Sequence, residues 1–286
     1  MKSLYRELMR HLIFTKNFIK FSLVLRFTWL EWTLPFKIIE VLMGITIWII
    51  MSSIVKAPLF QQHGGVALFI ILGLSVNQLL THSLIAYRLA LMRMLRGRIG
   101  FFAQSLSMID HMMIHGIPIT AGILGFVLDG YLEQTIILTL YLAIGYLMGL
   151  RFVPNADYIL AFISIVLGIL ATSGIGLISA STTILLKSWK GKEPIQWFLA
   201  LLSNLLSGVY FPVEALPINL RNLAYLLPQT YVLKLVRESL LLSTRDYYMI
   251  DFSIMVLATY SIISLSVGIL SLELALSKLR KEPLIE

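Results

Sequence analysis

His111 and His115 stand four residues apart, one helical turn, with Asp110 beside them. Two imidazoles so spaced can share a zinc ion, but a zinc site takes at least three protein ligands, and Asp110 projects at a neighbouring angle. The trio therefore reads as an interfacial polar face, and no metal site is expected. His82, His111 and His115 could supply an acid or base to an intramembrane lipid-modifying enzyme. His82 lies far along the chain from the other two, however, and no matched carboxylate pair accompanies them. Lys190, Gly191 and Lys192 are not preceded by the glycine-rich loop of G-x-x-x-x-G-K-[ST], so the chain is not expected to hydrolyse ATP. With no cysteine there is no disulfide, thiol nucleophile or iron–sulfur ligand. No catalytic residue is assigned.

The other polar residues sit within apolar runs. Lys37 and Glu40 are i, i+3 neighbours and could pair, but the start of a span also lets a lysine snorkel to the inner interface, the simpler reading. Asn77, Gln78 and His82 are costly against lipid and should face another helix or a cavity. Packing contacts and a substrate pathway fit them equally well. Thr172, Gly176 and Ala180 recur every four residues, with Ser173, Ser179 and Ser181 beside them. Small residues let helices approach closely, so this is a packing stripe, within the subunit or at a dimer seam.

Composition says what holds these residues. Hydrophobic residues make up 58% of the chain and charged residues 13%, against roughly 25% charged in soluble domains, and mean hydropathy is +0.86. The expected fold is an all-α polytopic membrane protein, one unit over residues 1–286. The net charge of +8 sits mostly at the ends of apolar runs, which orients a membrane protein and does not suggest nucleic acid. The N-terminus lacks a signal-peptide pattern. Over residues 1–30, Leu4, Tyr5, Leu8, Met9, Leu12 and Ile13 share a helical face opposite basic residues, as in a helix lying on the lipid surface.

Spans are expected near residues 34–55, 65–87, 158–182, 195–211 and 248–274. Arg88, Arg93, Arg96 and Arg98, then Lys187, Lys190 and Lys192, then Lys278, Arg280 and Lys281 should all lie on the cytoplasmic side. That constraint allows one crossing between His111 and Leu150, nearest 135–150. Much of 105–130 is then interfacial or broken helix, since Asp129 and Glu133 suit a break. About six crossings result, in the cytoplasmic membrane, with both termini inside. A secondary transporter would show inverted repeats and midplane charges, and neither is evident.

Residues 212–242 are too long and too broken for a simple hairpin. Leu216, Leu220, Leu223, Ala224 and Leu227 form one amphipathic stripe, with Pro217 at its start and Pro228 at its end. A second helix should begin near Gln229, with Val232, Leu233, Val236 and Leu240 as its apolar face, while Lys234, Arg237 and Glu238 need water or partners. Short proline-bounded helices at membrane depth are best explained as outer re-entrant elements.

The stretch LLSGVYFPVEALPINLRNLAYLLPQTYVLKLVRESL resembles the signature of permease subunits of type-2 ATP-binding-cassette (ABC) transporters. Ser207, Gly208, Phe211, Pro212, Leu216, Pro217, Pro228, Tyr231 and Arg237 carry the likeness, in order and spacing. The resemblance implies a six-span exporter permease that dimerises with itself or with a second permease. It implies ABC ATPase subunits that bind ATP and magnesium, no cofactor in this chain, and a cytoplasmic coupling region at 88–107. There Arg93, Arg96, Gly97, Gly100 and Phe101 are the candidate coupling residues, although the acidic residues and the proline common in the family are missing.

Overall fold

The computed structural model describes residues 9, 12–13, 15–17, 20, 35–46, 66–96, 98–99, 106–149, 151–186, 194–242 and 247–281. Helix α1 covers residues 35–46, and among the described residues four other helices, unlike α1, are long and apolar enough to cross a membrane. These are α2 (Val66–Arg96), α4 (Ile119–Leu147), α5 (Tyr158–Leu185) and α9 (Tyr247–Lys281). Between α2 and α4 stand an antiparallel ladder of β1 (Arg98–Ile99) with β2 (Leu106–Ser107), and the short helix α3 (Met108–Ile114). Helices α6 (Pro194–Leu206), α7 (Ile218–Ala224) and α8 (Pro228–Leu241) separate α5 from α9. The protein is thus an all-α polytopic membrane protein, with one minimal ladder among the described residues.

Local chemistry sets the boundaries. Ser107 accepts a hydrogen bond from the Asp110 backbone N–H (3.2 Å), and the Asp110 carboxylate accepts from the Ser107 N–H (3.2 Å) and hydroxyl (2.6 Å). This capping box starts α3. The helix ends at Gly116, whose φ of 63° lets the Ile117 N–H reach back to the Met112 carbonyl at 2.8 Å. Asp157 caps α5 by accepting from the Leu160 N–H at 2.9 Å.

Three elements depart from expectation. Helix α4 runs unbroken through Asp129 and Glu133. Asp129 is buried against the bundle and Glu133 meets Lys37, so neither side chain has to break the backbone. Helix α6 has 13 residues, about 20 Å of rise, and is too short to cross alone; the fifth crossing expected over 195–211 is helical to Leu206 and irregular from Ser207. Helix α2 continues nine residues past Tyr87, where its span was expected to end, because nothing from Arg88 to Arg96 breaks a helix.

The core divides by height. At one end Met94, Ile109, Ile119, Ile184 and Leu276 close the base around α3. At the other, Leu72, Val209 and Leu257 pack with Leu233 and Val236 of α8. The α5–α9 interface is the most extensive. A Cβ on Gly268 would lie 2.5 Å from the Gly174 carbonyl oxygen, and one on Gly174 would lie 2.5 Å from Leu265 N, so two backbones touch with no side chain between them. The hydroxyls of Ser261 and Ser264 donate to Leu167 and Ala171 carbonyls across the seam, at 2.8 and 3.0 Å. Gly176 approaches the Ser83 and Leu84 carbonyls of α2 as closely. The small-residue stripe therefore packs within the subunit.

Along the described residues near the N-terminus, 9, 12–13, 15–17 and 20 are helical, and Met9, Leu12 and Ile13 are exposed. Residues Leu4, Tyr5 and Leu8 of that expected face, and the lysines at 187, 190 and 192, lie outside the described residues.

Candidate functional site

The proline-rich segment folds around Arg237. Its position on α8, beside Val236 and one turn from Leu233 and Leu240, turns it into the bundle, where it is 6% exposed. Among the described residues it forms no salt bridge. Nη1 donates to the Gly208 carbonyl (2.7 Å), and Nη2 donates to the carbonyls of Val209 and Phe69, both at 3.1 Å. The guanidinium carbon lies 3.4 Å from the centroid of the Phe69 ring. Carbonyl dipoles and a π face thus carry the charge that a salt bridge would otherwise hold. The planar fork suits this cage, since it donates in fixed directions to acceptors from two different chain segments.

The cage depends on the signature residues. Gly208 has φ 86°, in the left-handed region, and this turn aims its carbonyl and that of Val209 at α8. Ser207 donates to the Ser203 carbonyl as α6 ends. Buried Pro212 precedes a 3-10 turn, Val213–Ala215, and Pro217 stands at the N-cap of α7. Pro228 occupies the first turn of α8, where a missing N–H costs nothing. The Thr230 hydroxyl donates to Ala224 (2.6 Å) and Tyr231 to Tyr225 (3.0 Å), so the α7–α8 turn is stitched by side chains. Arg221 donates to the Glu214 and Leu216 carbonyls. Burial, reinforced by Glu214 and opposed by Arg221, holds the Tyr225 phenol above its ordinary range. A cavity of about 260 Å³ opens here, lined by Ser207, Gly208, Glu214, Lys234, Arg237 and Glu238 among others.

Helix α8 is buried along nearly its whole length. Val232 packs on Gly168 of α5, roughly 15 Å along that helix from its first residue. The Ser239 and Leu240 carbonyls accept from Asp157 and Val153 at the α5 entry. The segment therefore descends into the bundle and climbs out again. The stripe expected ahead of it is only partly right: Leu216, Ala224 and Leu227 are buried, whereas Leu220 and Leu223 are exposed beside Ile218 and Leu226. A seven-residue helix turns too few times to bury all five.

The polar trio of α2 separates. The Asn77 amide donates to Asn204 (2.7 Å) and accepts from Ser203 (3.2 Å), which ties α2 to α6. His82 packs edge-on to Tyr131 with centroids 5.2 Å apart, over Gly130. Gln78 is exposed on the surface of the single chain. Lys37 does not reach away to an interface. Its ammonium lies 3.0 Å from Glu40 and 3.5 Å from Glu133 at the middle of α4. Neither Glu133 nor Asn204 was legible as a partner, because each contact joins segments distant in sequence. His111 and His115 stack at 4.2 Å.

In the segment expected to couple to an ATPase, Arg93 is exposed on the last turns of α2, and Arg96 is the final residue of that helix. Gly97, Gly100 and Phe101 lie outside the described residues. The ladder and α3 fold directly beneath, with Ile109 and Met112 buried.

A sequence model of a family described as ABC-2 type transporter matches residues 89–241, which run from the end of α2 to the last residue of α8. No curated protein matches the chain.

Proposed function

From the premise that the chain belongs to the ABC-2 type transporter family, we propose that it is the permease subunit of an ATP-driven exporter, working as a dimer with an identical or a second permease. The family and the spanning helices make it a membrane-spanning transporter permease. ABC ATPase subunits, holding ATP and magnesium, supply the energy. The arginines at the end of α2 support a cytoplasmic position for that end, and for both termini, in a cell whose plasma membrane holds the protein.

The observation that carries this reading is the length of α2. Its 31 residues rise about 46 Å, against roughly 30 Å of hydrocarbon. One unbroken rod thus carries Phe69, caged with Arg237, in its first turn and projects at Arg93 beside β1, β2 and α3. A partner that holds this projecting end differently in two nucleotide states moves the rod, and with it the opposite face of the bundle. The direction is export, by resemblance to exporters.

The test is to purify the tagged chain from its native membrane in mild detergent and score copurifying ATPase subunits and ATP hydrolysis. An associated nucleotide-binding subunit, lost on Arg93→Asp with Arg96→Asp, is the expected result. A chain that purifies alone even when ATP is trapped overturns the reading.

A further inference from the structure

At the α3 end of the bundle a second cavity, of about 540 Å³, lies between α2, α4, α5 and α9. That volume suits a drug-sized molecule. One wall is a ridge of α9, in which Leu265, Ile269, Glu273 and Ser277 follow one another at four-residue spacing. Leu124 of α4 stands on the opposite wall, and both it and Ile269 are exposed, at 43% and 57%. The groove therefore opens sideways, to where lipid chains surround the bundle. Its polarity is graded: Leu265 and Ile269 lie deeper, whereas Glu273, Ser277 and Thr120 sit toward the helix ends.

Among the described residues Glu273 is the one charged group in the lining, and no Lys, Arg or His borders the cavity. It falls inside the apolar span Tyr247–Lys278 and has no ion-pair partner among the described residues. Its carboxylate is exposed at the rim of the groove, in the last turns of that span, where it offers a negative charge to a cationic ligand beside apolar walls. We propose that this groove is the loading site for a cationic amphiphile, whose charge pairs with Glu273 and whose apolar body fills the space beside Leu265 and Ile269. The inference rests on the permease reading for the fate of that molecule, not for its binding. An anion of equal size meets the same apolar walls and is repelled by the carboxylate, so charge sign alone separates the two.

Tetraphenylphosphonium and tetraphenylborate, a cation and an anion of the same shape, provide the test. Binding of each is measured by equilibrium dialysis on the purified full chain in phosphatidylcholine nanodiscs, with empty nanodiscs subtracted. Saturable binding of the cation is expected, weakened about tenfold by Glu273→Gln, with only unsaturable partitioning of the anion. Leu124→Trp, at an exposed wall position, fills the groove without altering charge and should weaken the cation as strongly. Equal binding of the two ions, partitioning of both without saturation, or unchanged cation affinity in Glu273→Gln overturns the site. A chain that recruits its ATPase yet fails here loses only the groove assignment. A chain that binds the cation but recruits no ATPase keeps the groove and loses the permease function.

Discussion

The guanidinium of Arg237 lies over the Phe69 ring, 3.4 Å from its centroid, and donates to the carbonyl of that same residue. Removing the donor leaves the carbonyls of Gly208, Val209 and Phe69 buried without it. Arg237→Met should therefore destabilise the detergent-solubilised chain by about 1–3 kcal/mol. Arg237→Lys, which keeps the charge but not the fork, should recover only part of that. Thermal unfolding followed by tryptophan fluorescence checks both; a lysine variant as stable as wild type would show that charge alone suffices.

Gly208 carries a positive φ of 86°, and a Cβ there would sit 3.0 Å from Val213. Gly208→Ala should cost about 1–2 kcal/mol from the backbone alone. Gly149→Ala tests the backbone contribution separately, since Gly149 has φ 97° and a Cβ there would meet nothing within 4 Å. The difference in melting temperature between the two variants isolates the crowding at the signature turn.

Loss of the capping box should loosen α3 without disturbing insertion. Ser107→Ala removes the acceptor for Asp110 N–H, at a cost of about 0.5–2 kcal/mol. Hydrogen exchange should accelerate at Asp110 through Ile114 and stay unchanged in α5. Uniform exchange across both helices would refute a local role.

Lys37 joins α1 to α4 through Glu133, and single neutralisation leaves a charge in an apolar setting. Lys37→Met and Glu133→Gln should each lower the melting temperature. The double variant should be more stable than the sum of the two losses predicts, a coupling of about 0.5–3 kcal/mol in a double-mutant cycle. Strict additivity would mean that the pair contributes nothing.

Periodicity disclosed the apolar face of α8, since Val232, Leu233, Val236 and Leu240 are all buried. Proline positions disclosed where α7 and α8 begin, after Pro217 and at Pro228. What Arg237 bonds to was not legible, because its acceptors lie 28, 29 and 168 residues away and are backbone atoms, identical in every residue type. The same limit hid Asn204 from Asn77 and Glu133 from Lys37. Charge inside an apolar run misled at Asp129, because a sequence shows the cost of a buried acid but not the bundle that shelters it. The length of α2 was underestimated because positive charge marks where lipid ends, and a helix need not stop there.

The backbone contact of Gly174 with Gly268, and the serines beside it, limit how α5 and α9 can move against each other. Sliding α9 along α5 by a single residue, about 1.5 Å, would pull Ser261 and Ser264 off the Leu167 and Ala171 carbonyls together and offer them nothing new. The two helices are in effect keyed like a shaft and its hub, free to swing as one piece but not to run past each other. Under the proposed coupling, a torque applied at the arginine end of α2 would therefore be delivered as a tilt against this keyed pair, because its smallest residues oppose a piston stroke.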